Sequence, residues 1–424
     1  MNIKLYEVRK IITSYVIIFL TMLMVVFNFY TIREKVHYIR DDLSIVNKII
    51  DEFGVEINEY SINKMNSEYK TKLTKFNNLT ESKLKKTYKF VGDFFNSEEY
   101  SRNVEYNNKF SDSEINFLNE LRVLELYVNI AIEKVQEYEK VNFSSNALQN
   151  SKDHGLKGKA INIAVNRYNI AQSVLEETIE NKNHKSIFPL GDYRFYSIVF
   201  YDAFFQCVFE VTIMTVLITA YLINYENDNS TNALVLTTKR GRKNIKDKLF
   251  VSIVSSVIVS ALILGFTLIS LYLNIDIADI LGTSVRSAFN WEGKFPYIFW
   301  VNNSVGVQLA LTTIIILICS GLFSLITFII TSIVKNTYTS FFIFFIIFGV
   351  FIIFPDIPSK ESTICMYMGY DLFNLIIRPS SFFTVRAPMI LDKFYEIKVL
   401  IIWTVILSTL SIITIKNFKN ENIN

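Results

Sequence analysis

In a chain of 424 residues with 51% hydrophobic side chains, the apolar residues gather in six long runs, and the formal net charge is only +3. The largest polar block, residues 33–195, holds 24 basic and 25 acidic side chains, interspersed, which argues against a nucleic-acid-binding surface. Of the three cysteines, Cys207 and Cys319 lie inside apolar runs and Cys365 stands alone, so no disulfide framework is expected.

Residues 1–10 read as a short basic N-terminal segment, followed by a first span at 11–32 without a charged side chain. That run is near the roughly 20 residues that cross a ~30 Å hydrocarbon core as a helix. It is too long, and too soon followed by charged helix, for a cleaved signal peptide, so a retained anchor is expected.

Residues 33–191 read as a helical domain. Val36, Ile39, Leu43, Val46, Ile50 and Phe53 recur at steps of three and four, which predicts that the first helix continues as a stalk and stops at Gly54. A second helix, capped by Ser61, carries Ile62, Met65, Tyr69, Leu73 and Phe76. Two further stripes, Phe117 to Tyr138 and Ile161 to Thr178, predict an antiparallel hairpin joined by a polar linker at 142–157. Core packing is the expected role of these stripes.

The remaining spans are placed at 192–225, 249–273, 303–334, 338–354 and 397–415, with a loop at 226–248, longer loops at 274–302 and 355–396, and a tail at 416–424. Trp291, Pro296 and Trp300 precede the fourth span, where aromatics settle at an interface. The loop 355–396 includes an amphipathic run, Tyr370 to Ile377, which suits either a short helix dipping into the membrane or an interfacial loop. The fold class is therefore an all-α membrane protein with six transmembrane helices and a large helical domain between spans one and two.

Orientation follows from Lys and Arg in the short segments. With the N-terminus inside, twelve basic residues fall in cytoplasmic pieces, against two between spans three and four and five between spans five and six. Both termini are expected inside and the large domain outside, on a multi-pass protein of the cell membrane.

The chain carries no constellation of an enzyme. His37, His154 and His184 lack metal-ligand spacing, so neither a catalytic residue nor a metal is assigned. A nucleophile elbow, a dinucleotide fingerprint and a phosphate loop are all absent from the sequence; Gly155 to Ala160 has the wrong spacing. No ATPase activity is expected of this chain.

Two features stand out from the apolar background. Asp202, Gln206 and Glu210 are four apart and share one stripe of the second span. A carboxylate facing lipid costs about 2.5–3.5 kcal/mol on insertion scales, so the stripe should face protein or a watery path. It suits either a translocation path or dimer interface, or a structural hydrogen bond to Asn28 or to hydroxyls of spans three and four. The second feature is the loop 226–248. It runs from acidic Glu226 through Ser230 and Thr231 as capping residues to an apolar turn ending in Leu234 and Leu236. Thr237, Thr238 and the basic turn Lys239, Arg240, Arg242 and Lys243 follow, and Lys248 opens the next span. An inside loop needs positive charge, but not an apolar helical turn between two charge clusters; that turn suits docking on another protein.

On these residues the chain resembles the permease subunits of type-2 ABC exporters of low-GC Gram-positive bacteria, a family with six spans and both termini inside. The family's loop after span two has an acidic residue, a small-residue turn, a leucine-rich short helix and a Ser/Thr segment with basic residues before a Lys. Glu226, Leu234, Leu236, Thr237, Thr238, Lys239, Arg240, Arg242 and Lys248 stand at those places, with Ser230-Thr231 replacing the common Gly-Thr pair. The resemblance implies that a cytoplasmic ABC ATPase, holding ATP and Mg, docks on this loop and rocks two permease subunits against each other, while this chain carries no cofactor. Spans two and five would line the path for an exported peptide, antibiotic or lipid-like substrate. A related group with a similar outer insertion works without a dedicated ATPase, as a secretion component or phage receptor.

Overall fold

Helices form where the apolar runs are longest, because in lipid a helix satisfies its own backbone polar groups. The computed structural model describes residues 3–37, 39–190, 195–238, 241–291, 297–385 and 391–420. The fold is all-α, and among the described residues β pairing is limited to isolated bridges.

The chain opens with α1 (Ile3–Ile12), which turns at Thr13 and Ser14 into α2 (Tyr15–Val36). The first span thus begins at Tyr15 rather than at residue 11, and Ile11 is buried at the end of a separate helix. The predicted stalk is interrupted after α2 and resumes as α3 (Arg40–Phe53), whose Leu43, Val46, Ile50 and Phe53 are buried. It stops at Gly54, whose φ of +86° is costly for residues with a Cβ.

The domain continues with α4 (Glu59–Leu84), α5 (Val91–Phe95), α6 (Glu98–Tyr100), α7 (Asp112–Glu139), α8 (Phe143–Asp153) and α9 (Gly158–Glu180). Asn58, not Ser61, caps α4; Ser61 is the reciprocal partner three residues in. The predicted hairpin of α7 and α9 gives way to a different pairing. α7 packs on α4, α3 and α5, while α9 folds back on α8. The supposed linker is helical because Asn142 caps it, accepting from the Ser145 amide at 2.9 Å, and because Ala147 and Ser151 form a buried face.

After a π-helical stretch, Ser197–Ala203, comes α10 (Phe204–Asp228), then α11 (Asn232–Leu236), α12 (Asn244–Asn274), α13 (Val305–Val334), α14 (Thr337–Ile353), α15 (Leu372–Ile376) and α16 (Tyr395–Asn420). Among the described residues, five helical segments are long and apolar enough to cross a bilayer: Tyr15–Val36, Ser197–Asp228, Gly241–Asn274, Val305–Val334 and Tyr395–Lys419. α14 is apolar but shorter, at 17 residues, or about 25 Å. The last helix extends past the expected 397–415 at both ends and is 26 residues long.

α10, α12 and α13 pack on one another as the centre of the bundle; α2 leans on α12 and α10, α14 on α10 and α13, and α16 on α13. The most apolar window of α10 is 72% buried and that of α16 only 17%, so α16 leaves most of its apolar surface uncovered by protein. Phe342, Ile346 and Val350 of α14 likewise point outward, a continuous apolar belt of the kind a bilayer covers.

Three bridges tie the loops at the domain end of the bundle: Glu56 with Ser186, Ser284 with Ser304 and Phe299 with Thr384. Arg286 is fully buried there and donates to the carbonyls of Phe299 and Trp300 at 3.0 Å each. The run 370–377 forms α15, whose Phe373 inserts among Phe323, Phe344, Phe348 and Phe351. Its apolar side is thus buried in protein.

Candidate functional site

At the end of the bundle opposite the domain, α1, α10 and α12 bring four charges out of solvent. The Lys10 ammonium donates to Glu7 and to Glu226, each at 2.8 Å, and Lys248 donates to Glu226 and to the Ile223 carbonyl. Asn244 adds a bond to the other oxygen of Glu7 at 3.1 Å. Rings of Tyr225 and Tyr6 flank Lys10, at 4.4 and 5.1 Å. Burial alone would lower the Lys10 pKa; hydrogen bonds to Glu226 and Glu7 outweigh it and hold the ammonium above its ordinary value. Two carboxylates and two ammonium groups thus compensate one another where a lone charge would be costly.

Directly above this cluster stands the loop that carries α11. Thr231 occupies the N-cap position without a side-chain cap; its hydroxyl donates instead to the Glu226 carbonyl at 3.4 Å, and Ser230 takes the left-handed φ of +57°. The expected capping by Ser230 and Thr231 is therefore replaced by a backbone turn. Thr237 and Thr238 close the other end, their hydroxyls donating to the carbonyls of Leu234 and Val235 at 2.8 and 2.7 Å. Leu236 is the last residue of α11. Leu234 stands out with 73% of its surface exposed. Arg242 is half-buried and donates to the Lys419 carbonyl at 3.0 Å, tying the loop to the end of α16. Lys239 and Arg240 lie outside the described residues.

Between the loop and the bundle is a cavity of about 190 Å³, lined among others by Asn224, Glu226, Val235, Arg242 and Lys248. Asn224 is fully buried, and among the described residues neither atom of its amide has a hydrogen-bond partner. A buried amide in that condition costs roughly 1–3 kcal/mol per unmade bond, so the site is suited to receive a polar group.

The stripe of the second long span divides in two. Asp202, in the π-helical stretch, is half-exposed and pairs with Lys35 at 3.3 Å. Gln206 and Glu210 turn inward: Asn28 of α2 donates to Glu210 at 2.7 Å and to Thr267 of α12 at 3.0 Å, while Gln206 donates to Asn28 and to Thr31. These are the contacts that an interhelical structural bond to Asn28 requires. Deeper in the bundle, Thr215 and Ser260 both meet Ser320, at 2.8 and 2.9 Å, and Thr219 meets Ser324 at 2.8 Å. Such hydroxyl pairs join helices where lipid offers no competing partner.

Among the described residues no three His, Cys, Asp or Glu side chains gather as metal ligands. His184 is buried, stacked on Tyr138 and bonded to Glu139 at 3.0 Å. Burial pushes the Glu139 carboxyl up, but His184 and Lys185 prevail and hold it below the usual carboxylate range. Asp371 caps α15 by accepting from the amides of Phe373 and Asn374 at 2.9 Å each; burial pushes its carboxyl up to about 6 against those bonds.

Sequence reasoning singled out Glu226 and Lys248 as the two ends of the loop and counted Lys10 only within the basic N-terminal segment. The signal for their union is an acidic residue closing one span, a lysine opening the next, and a Glu-Lys pair three apart in the N-terminal helix. Comparison with known protein families, with curated proteins and with solved structures finds no match. Fold and site together define an all-α protein with, among the described residues, five helices long and apolar enough to cross a membrane, a helical domain at one end and a buried ionic cluster at the other.

Proposed function

We propose that the chain is the membrane-spanning permease subunit of an ABC exporter. It would move a peptide, antibiotic or lipid-like substrate outward with ATP hydrolysed on a separate subunit. The observation that carries this reading is α11: a helical turn presenting Leu234 to solvent, set on a buried ionic cluster that links three helices. An exposed leucine above a small polar cavity suits a protein partner that inserts one apolar and one polar side chain. A push on the loop would reach α1, α10 and α12 together through Glu226, which gives a separate ATPase a mechanical path into the bundle. In this reading α11 and both termini face the cytoplasm, the domain is extracellular, and a second permease completes the complex.

The test is co-purification from the native host in mild detergent, comparing the parent with Leu234→Asp and with Arg240→Glu/Arg242→Glu. The expected result is an ATPase subunit with the parent, lost from both variants, while membrane insertion is unchanged. An ATPase retained by both variants overturns the docking assignment. If no ATPase accompanies the parent, the second reading takes its place: an ATPase-independent secretion component or phage receptor, which the size of the helical domain favours.

A further inference from the structure

Glu210 lies well inside the helical segment Ser197–Asp228, the most buried of the five candidate spans, and is itself 6% exposed. Deeper in the bundle the helices are joined by neutral hydroxyls, whereas this joint uses an ionisable group. Its bonded neighbours are neutral. Asn28 of α2 donates to one carboxyl oxygen at 2.7 Å and to Thr267 of α12 at 3.0 Å, and the Cys207 thiol donates to the same hydroxyl at 3.2 Å. Among the described residues no ammonium or guanidinium pairs with Glu210. α12 and α13 carry no charged side chain between Lys248 and the end of α13, and α14 carries none. Arg33, Glu34 and Lys35 of α2 stand in its last turn, where Lys35 pairs with Asp202. Arg378, just before the turn 379–381 that touches the start of α10, is exposed, and Glu7 and Lys10 of α1 belong to the cluster at the opposite end.

We propose that Glu210 is a proton-binding site that exchanges with water on the domain side. An ionisable group this deep in a span, with only neutral partners, marks a proton relay more than a structural joint, which a glutamine or serine would serve as well. Its neighbours suit both protonation states, because amides and hydroxyls each donate and accept. A metal cation is a poor occupant, since Asn28 turns its N–H group, not its oxygen, to the carboxyl. The route outward is graded. Gln206, one turn above, is half-buried and donates to Asn28 and Thr31; Asp202, a turn further, is half-exposed. These two turns cover about 12 Å. Toward the other end the next hydroxyl on this helix to face a neighbour, Thr215, is already engaged with Ser320, so the open side is the domain side. In the exchange the acid O–H bond breaks, the proton passes to water at the domain surface, and the carboxylate stays behind on the Asn28 N–H. Because Asn28 joins α10 to α12, proton release places a lone charge where three helices meet and loosens α2 there. This inference rests on α10 crossing a bilayer and not on ATPase docking, so the co-purification result leaves it untouched.

The test is infrared difference spectroscopy of the full chain in nanodiscs as pH is raised, in H2O and in D2O. The expected result is a carboxylic-acid C=O band that fades as pH rises, shifts in D2O and is missing from Glu210→Gln. Asn28→Leu, which removes the amide donor, should move the same band to higher frequency. Gln206→Leu should slow its shift in D2O. Bands of other buried acids, Asp371 among them, should survive Glu210→Gln, so the signal read is the part that this variant loses. Should Glu210→Gln fail to fold, carboxyl-labelled 13C-glutamate separates glutamate bands from aspartate bands in the parent, and the Asn28→Leu displacement then identifies the residue. A spectrum from which Glu210→Gln removes nothing, or a Glu210 band that neither pH nor D2O changes, overturns the inference and leaves Glu210 as a fixed interhelical bond. Exchange at the parent rate in Gln206→Leu overturns the route through that amide.

Discussion

Lys10 and Glu226, 216 residues apart in sequence, meet at 2.8 Å and close the base of the helical bundle. Lys248 reaches the other oxygen of the same carboxylate, so Glu226 is shared by an N-terminal helix and the helix that follows the loop. Removing that carboxylate leaves the Lys248 ammonium without its acidic partner out of solvent, while Lys10 keeps Glu7. Glu226→Gln is therefore expected to destabilise the protein by about 3–5 kcal/mol. Combining it with Lys248→Met should recover part of the loss, since the orphaned charge goes with it. Thermal unfolding in detergent of the two single variants and the double variant measures the coupling.

Glu125 holds the domain core by a different device. Its carboxylate accepts from the amides of Val91 and Gly92 at 2.7 and 2.9 Å and from the Tyr69 hydroxyl, fixing the start of α5 against α4 and α7. Burial and the carboxylate beside it push the Tyr69 phenol well above its ordinary range. Glu125→Ala orphans two backbone donors and is expected to cost about 3 kcal/mol. Faster amide exchange at 91 and 92 than at α9 would locate the loss; uniform exchange would contradict it.

Ser230 takes a left-handed conformation that residues with a Cβ adopt at a cost of roughly 1–2 kcal/mol. Ser230→Gly is expected to relieve about 1 kcal/mol of that strain, offset by the greater freedom of glycine in the unfolded chain. The measured outcome is a small rise in melting temperature with the loop geometry unchanged. A fall would show that the serine hydroxyl matters more than the backbone.

The buried Asp371 carboxyl titrates at about 6 in the folded protein, against an ordinary value of 3.8. The folded state therefore binds the proton more tightly than the unfolded chain, and stability falls as pH rises through the window from about 4 to 6. A penalty on the order of 2–3 kcal/mol is fully present above that window and absent below it. Asp371→Asn should flatten this slope. Unfolding of parent and variant between pH 4 and 7 tests the sign, and parallel curves would remove Asp371 as the cause.

The spans were legible in the sequence because long uncharged runs admit one cheap structure in lipid. Helix starts and pairings were less so. The break at Thr13 and Ser14 hides inside an apolar run, and the stripe beginning at Ile161 tells which face of α9 is buried but not that α8 covers it. The cap at Asn142 was readable, yet the polar composition of 142–157 masked it. Arg286 was counted as loop charge because its use lies in two carbonyls 13 and 14 residues away. The inward turn of Glu210 toward Asn28 was among the contacts that the cost of a carboxylate in lipid suggests. The union of Glu7, Lys10, Glu226 and Lys248 depends on helix packing that local periodicity does not encode.

The way α8 and α9 rest on the bundle has a mechanical outcome. The Lys157 amide donates to the Lys360 carbonyl at 3.1 Å, and Leu156, Ala160 and Ala164 are buried with Cys365 and Met366 between α14 and α15. The pair is therefore seated on the connection between two helices of the bundle. A tilt of α14 or α16 must carry α9 with it, as a needle follows the coil it is mounted on. A label on the exposed face of α8 would register bundle motion as a change in distance to the tip of α4.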